Sequence, residues 1–180
     1  PCTEVKIIDP ETGETVPLNT VGEYCTRGYH DMKGYFDMPE ATAKTVDSEG
    51  WLHTGDLCAM DERGYCVVEG RLKDMVIRGG ENIYPREIEE LLFKHPSVAE
   101  VAIVGLPDDK MGEELGAFVR AAPQQKIDRE TLHAYLREHL AAHKTPRYWF
   151  EVTQYPLTGS GKIQKFALRE QWQRGEHKAL

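Results

Sequence analysis

The chain has 180 residues, 40% of them hydrophobic and 29% charged, with 22 Lys and Arg against 30 Asp and Glu for a formal net charge of -8. That balance suits a soluble globular chain of one domain, or of a small domain joined to part of another. The acidic excess argues against nucleic acid and anionic membranes as partners, which select clustered positive charge, and no apolar run approaches the roughly 20 residues that span a bilayer.

In chain order, residues 4–8 alternate polar and apolar side chains and predict a strand, and residues 9–13, with Asp, Pro and Gly, predict a turn. Residues 22–26 predict a second strand and 40–46 a short helix. Residues 61–64 predict a turn leading into a strand over 65–68. This is an antiparallel β pattern with few long helices. From Pro85 the pattern changes to alternating helices and strands. Pro85 suits a first helical turn, Glu87, Glu89 and Glu90 sit near its positive end, and Ile88, Leu91 and Leu92 share a face, with Lys94, His95 and Pro96 at the stop. Residues 99–104 read as a buried strand ended at Pro107, and residues 116–120 as another. Asp128 is placed to cap a helix carrying Leu132, Tyr135, Leu136 and Leu140, residues 148–152 predict a further strand, and 166–172 a closing helix. Trp149 and Phe150 are expected in the core. The expected class is α+β, with a boundary that gives a β-rich segment over 1–72 and a compact domain over 73–180.

Cys2, Cys25, Cys58 and Cys66 form no C-x-x-C pair. That supports neither a zinc ribbon nor a redox motif, so no metal site is expected and a reducing, cytoplasmic compartment is the simplest reading. His139 and His143 are four apart on the expected helix, but Leu140 follows His139, so the zincin pattern fails.

Three stretches carry chemistry in combination. In Trp51-Leu52-His53-Thr54-Gly55-Asp56, an exposed carboxylate after a glycine can accept two hydrogen bonds from a vicinal diol; taken alone, an Asx turn between strands explains the stretch better. In the run from Gly70-Arg71-Leu72-Lys73-Asp74 to Gly79-Gly80-Glu81-Asn82, Arg71 offers a rigid fork of donors, and the glycines offer bare backbone that a narrow ligand could pass; a surface hairpin with solvated charges is the alternative. Thr158-Gly159-Ser160-Gly161-Lys162-Ile163 reads as a mobile glycine loop presenting one lysine, or as a polar surface loop. It is not a Walker phosphate loop, because Ile163 stands where Ser or Thr is required.

In this order and spacing the three stretches resemble the adenylate-forming superfamily, in particular AMP-forming acyl-CoA synthetases, from about Gly22 to Arg169. Gly79-Gly80-Glu81-Asn82-Ile83-Tyr84-Pro85 is similar to CoA ligases, and residues 156–165 are similar to the medium-chain fatty acyl branch. The resemblance implies a mobile C-terminal domain over 73–180, preceded over 1–72 by the end of a large AMP-binding domain. It implies a two-step reaction in which ATP and a carboxylic acid, expected to be fatty, give acyl-AMP and pyrophosphate, and CoA then displaces AMP. Asp56 and Arg71 would hold the ribose, Lys73 would be the hinge, Gly79, Gly80 and Glu81 would line the pantetheine path, and Lys162 matches the family's adenylation lysine. The family's phosphate loop and its magnesium-binding glutamate are not found, and the first residue is Pro1, not Met. The chain therefore reads as a piece of a longer enzyme and is expected to be inactive alone. Mg2+ and the triphosphate are expected to sit mostly in a part not included here. An acyl-AMP ligase loading a carrier protein, or a noncatalytic nucleotide- or CoA-binding module, are the alternatives.

Overall fold

A computed structural model describes residues 2–180. The chain divides into two compact units, residues 1–73 and 74–180.

The first unit is a four-stranded antiparallel meander of β1 (Thr3–Ile8), β2 (Gly22–Gly28), β3 (Leu52–Met60) and β4 (Cys66–Arg71), paired in that order. The short helix α1 (Pro39–Thr45) intervenes between β2 and β3 and starts on Pro39, where a missing amide costs nothing. A small core of Ile8, Cys25 and Trp51 is covered by Lys6 and Arg27, whose cations lie 4.4 and 4.5 Å from the Trp51 ring centroid. Asp9 and Asp61 each turn the chain by accepting nearby backbone amides.

The run at 51–56 differs from the turn that its residues suggested. Leu52 to Asp56 belong to β3, because pairing with β2 on one side and β4 on the other overrides the weak strand preference of Thr-Gly-Asp. The Asx turn lies earlier, at Asp47, whose Oδ1 accepts from the amides of Glu49 and Trp51 at 2.9 Å each.

The second unit is an α+β domain. Its five strands are β5 (Val76–Arg78), β6 (Glu81–Ile83), β7 (Val98–Asp108), β8 (Gly112–Ala121) and β9 (Tyr148–Glu151), in the order β6-β5-β8-β7, with β9 parallel to β8. Helices α2 (Pro85–Leu92) and α3 (Arg129–His139) belong to one side and α4 (Lys165–Gln173) to the other. Successive strand residues therefore feed two cores. Val101, Ile103, Val119 and Trp149 pack with Ile88, Leu92, Leu132 and Leu136, whereas Ala102, Val104, Phe118 and Phe150 pack with Leu168. Burial on both faces explains why β7 and β8 read as continuous apolar runs.

Several boundaries differ from the sequence reading; β8, for instance, begins at Gly112 and not at 116, and β4 runs on to Arg71. β7 runs through Pro107 to Asp108, because it is an edge strand where a missing amide is tolerated. α2 ends at Leu92, before Lys94 and His95. α3 ends at His139, so His143 lies outside it in a separate 3-10 turn, Ala142–Lys144. Asp128 caps α3 as expected, accepting from the Glu130 amide at 3.1 Å and from the Thr131 hydroxyl at 2.6 Å. Among the described residues no helix is long and apolar enough to cross a membrane.

One buried ion pair ties the β5–β6 hairpin to the main sheet. Arg78 Nε and Nη2 donate to Glu114 Oε2 and Oε1 at 2.7 and 2.9 Å, and Arg78 Nη1 donates to the His143 carbonyl at 2.9 Å. The Glu114 side chain is 2% exposed. Arg78→Ala would strand that carboxylate and is expected to destabilise the second unit by about 3–5 kcal/mol, measured by urea unfolding. A loss under about 1 kcal/mol would show that Arg147, at 3.8 Å from Glu114, takes over. Asp128→Ala is expected to cost about 1 kcal/mol in the same assay.

Candidate functional site

The expected site residues fall into both units, and each half has its own geometry. In the first unit Asp56 and Arg71 are direct cross-strand partners on β3 and β4, with Arg71 Nε 3.1 Å from Asp56 Oδ1. The side chains are 38% and 53% exposed, so water screens their attraction and the pair can rearrange around a ligand at little cost. Asp56 is presented by a local distortion of β3. Gly55 has φ +70, a left-handed conformation that suits glycine, and the β3–β4 register shifts just beyond, between Leu57 and Cys58. The Gly55 amide donates to Glu23 Oε1 at 3.0 Å. The Thr54 hydroxyl donates to the Tyr24 carbonyl at 2.7 Å and accepts from the Asp56 amide at 3.1 Å. A carboxylate and a guanidinium side by side, both reachable from solvent, can receive and donate hydrogen bonds to a polyol.

Lys73 is exposed in the 3-10 turn Leu72–Asp74, where the division between the units falls. In the second unit Gly79 and Gly80 are the turn of the β5–β6 hairpin. Both have positive φ, +59 and +85, the pattern of a two-residue hairpin turn that residues with a Cβ adopt only under strain. The Gly79 amide donates to the Met111 carbonyl at 2.9 Å. Glu81 follows on the exposed side of the turn, with its carboxylate 3.2 Å from His143 Nε2.

Lys162 lies on a loop that is better ordered than its Gly-Ser-Gly composition suggested. Leu157 and Ile163 form an isolated bridge, and the Thr158 amide donates to the Lys162 carbonyl at 2.8 Å. The Gly161 amide donates to the Thr158 carbonyl at 2.9 Å, and the Lys162 amide to the Thr158 hydroxyl at 3.0 Å. The backbone is thus closed, and the freedom to move belongs to the side chain. Lys162 is exposed, and its ammonium has no hydrogen-bond or ion-pair partner among the described residues.

The supports of this loop were not visible in the sequence. Lys165 Nζ lies 2.7 Å from Glu89 Oε1, which also accepts from the Ile103 amide at 2.7 Å, so the foot of the loop is tied to α2 and β7. On the other side the Tyr155 hydroxyl donates to the Phe118 and Glu100 carbonyls at 2.8 and 3.2 Å. Burial first, and the Glu100 charge second, push that phenol up, so it stays a donor. Nothing in a single sequence pairs Lys165 with Glu89, because the two meet only once α4 packs against the sheet.

A second group of side chains also escaped sequence reading. Glu23, Cys25 and His53 bring a carboxylate oxygen, a sulfur and a ring nitrogen within 4.8 Å of one another. Burial, and then the Glu23 charge, push the Cys25 thiol up to about 11, so unliganded it stays protonated at neutral pH. Glu23 and Cys25 lie on β2 and His53 on β3, and only the antiparallel register brings the histidine to the other two.

Residues 87–162 match the family model described as the AMP-binding enzyme C-terminal domain. The putative acyl-CoA synthetase YngI of Bacillus subtilis (strain 168) is 54% identical over 170 residues, covering 94% of this chain and 31% of that protein. The mitochondrial medium-chain acyl-CoA ligase ACSF2 of Bos taurus is 50% identical over 171 residues, covering 95% of this chain and 28% of the relative. The chain thus spans about a third of the length of the curated relatives it matches. Among solved structures, ATP-bound MatB from Rhodopseudomonas palustris superposes with a TM-score of 0.88 at 38% identity, over 96% of this chain and 34% of that one. The o-succinylbenzoate CoA synthetase MenE of Bacillus subtilis, in complex with its acyl-adenylate intermediate, gives 0.86 at 34% identity, over 93% and 34%. Residues 87–162 thus resemble the C-terminal domain of AMP-binding enzymes, and along nearly all of its length the chain is similar to one third or less of an acyl-CoA synthetase and of acyl-CoA ligases.

Proposed function

We propose that this chain is the C-terminal part of an AMP-forming acyl-CoA synthetase, which activates a carboxylic acid with ATP and passes the acyl group to CoA. The observation that carries this reading is Lys162, an exposed and unpaired ammonium at the tip of a braced loop. The adenylation step brings two anions, a carboxylate and the α-phosphate, to within about 3 Å. Their repulsion at a low effective dielectric amounts to several kcal/mol. A lysine held between them offsets that repulsion where the new charge develops. Being unpaired, this ammonium breaks no internal ion pair when it enters, and its single side chain can withdraw before a thiol arrives.

Asp56 would accept hydrogen bonds from the ribose hydroxyls, and Arg71 would donate to the same sugar. Lys73, at the division between the units, is the proposed hinge, since a few backbone torsions there suffice to turn one unit on the other. Gly79, Gly80 and Glu81 would line the pantetheine path, where a turn without side chains leaves room for a narrow ligand. The medium-chain relatives support a fatty acid as substrate. Magnesium requires an all-oxygen shell. The one compact group of possible metal donors among the described residues contains sulfur and nitrogen, does not suit that ion, and gives this chain no step through it. Four free cysteines, two of them buried, support a reducing compartment such as the cytoplasm.

With acid, ATP and CoA supplied, the isolated 180 residues are expected to release no pyrophosphate, because ribose contacts and a lysine do not seat a triphosphate. Pyrophosphate release by this chain would refute the division of labour. In the full-length protein, Lys162→Ala is expected to slow adenylation by about 10²–10³-fold. Thioester formation from supplied acyl-adenylate should stay within about threefold, and equal loss of both half-reactions would remove Lys162 from its assigned place. Arg71→Ala is expected to raise the KM for ATP by about tenfold, the worth of one charge-assisted hydrogen bond, with saturable CoA dependence retained. Absence of CoA saturation would point to a carrier protein as acceptor instead.

A further inference from the structure

β2 and β3 bring a carboxylate oxygen and a sulfur to one imidazole nitrogen. Cys25 and His53 are direct cross-strand partners, and the register shift between Glu23 and Cys25 lets Glu23 close on the same ring. His53 Nδ1 lies 2.9 Å from Glu23 Oε2 and 3.6 Å from Cys25 Sγ. A tetrahedral zinc ion, with bonds of about 2.0–2.3 Å to nitrogen, oxygen and sulfur, holds its ligand atoms roughly 3.3–3.6 Å apart. The sulfur-to-nitrogen span already has that size. The nitrogen-to-oxygen span is a hydrogen bond and needs to open by a few tenths of an ångström.

The surroundings are built in the manner of a metal site. The second carboxylate oxygen of Glu23, Oε1, is occupied by the Gly55 amide at 3.0 Å, which leaves Oε2 facing the imidazole and the thiol. The far nitrogen of His53, Nε2, lies 3.5 Å from Asp47 Oδ2. Asp47 is itself fixed, since its other oxygen accepts the Glu49 and Trp51 amides. Once a metal displaces the Nδ1–H bond to Glu23, a carboxylate behind the distal nitrogen stabilises the tautomer protonated there, as in carboxylate–histidine–metal arrangements. Cys25 and Glu23 are buried and the His53 side chain is 28% exposed, so the imidazole side is the route of entry.

We propose that Glu23 Oε2, Cys25 Sγ and His53 Nδ1 bind one zinc-class divalent transition-metal ion, with Asp47 orienting His53 from behind. On binding, the Cys25 thiol releases its proton to solvent and sulfur coordinates as thiolate. The proton that His53 Nδ1 shares with Glu23 leaves that nitrogen, so that His53 binds as the neutral tautomer with its one proton at Nε2, toward Asp47, and water takes the fourth position. The sulfur and nitrogen donors select zinc, cobalt or copper over magnesium and calcium. The ion clamps β2 to β3 two residues before Gly55, and so stiffens the strand that presents Asp56.

The test is titration of the untagged 180-residue chain with zinc and with cobalt(II), in the absence of acid, ATP and CoA. The expected result is one ion per chain, a thiolate-to-cobalt charge-transfer band, and tetrahedral cobalt d–d bands. Cys25→Ser abolishes the charge-transfer band, whereas Cys66→Ser, at an exposed thiol, leaves it unchanged. Asp47→Asn keeps the band and weakens binding by about 10–100-fold. X-ray absorption of the zinc-loaded wild-type chain needs no variant and should show one sulfur among nitrogen and oxygen neighbours. Lack of saturable binding, a band that survives Cys25→Ser, or a shell without sulfur each overturns the proposal. Because no nucleotide is present, none of these results bears on the synthetase reading, and failure of that reading leaves them intact.

Discussion

The second unit depends on the buried pair between Arg78 and Glu114. β5 is only three residues long and meets β8 in register at a single position, Arg78 opposite Gly112. One strand pair is too little to fix a hairpin, since a short isolated hairpin is marginal in water. The bidentate guanidinium supplies the missing constraint, and its third contact, to the His143 carbonyl, binds the chain after α3 to the same point. Glu113, the next residue along, continues the tie. One of its oxygens accepts the Ile77 amide and the other pairs with Arg169 of α4. The glycine turn at 79–80 thus projects from a hairpin held by charge as much as by backbone pairing.

A similar economy governs the lysine loop. The Lys162 ammonium is free at its tip while its loop is fixed at the root, and the fixing falls on other residues. Lys165 and Tyr155 carry the fixing, one through the carboxylate of Glu89 and the other through two backbone carbonyls. Thr158 closes the loop with its backbone and its hydroxyl, leaving Lys162 only its own side-chain torsions. Ordering of the backbone lowers the entropy that fixing the lysine against any ligand would otherwise cost.

In the first unit Glu23 has a comparable place. It is 6% exposed, and its two oxygens are divided between the Gly55 amide and the His53 ring. A buried carboxylate without partners is expensive, and this one has found partners in the two residues that precede Asp56 by one and three positions. The left-handed Gly55 and the orientation of Asp56 therefore rest on a side chain from a neighbouring strand.

Much of this architecture was legible along the chain. Residue patterns located both β-rich and mixed regions, the Asp128 cap, the Pro85 start of α2 and the burial of Trp149 and Phe150, because period, capping and hydrophobicity are local properties. The order and spacing of three short runs were enough to suggest the family. Other features lay beyond any local pattern. That Thr54-Gly55-Asp56 sits within a strand, that Asp56 faces Arg71, that Glu89 receives Lys165, and that Glu23, Cys25 and His53 share one corner are all consequences of strand register and helix packing. Those relations join residues distant in the chain. A sequence encodes them only through the fold, because hydrogen bonds and ion pairs act over a few ångströms of space and take no account of separation along the backbone.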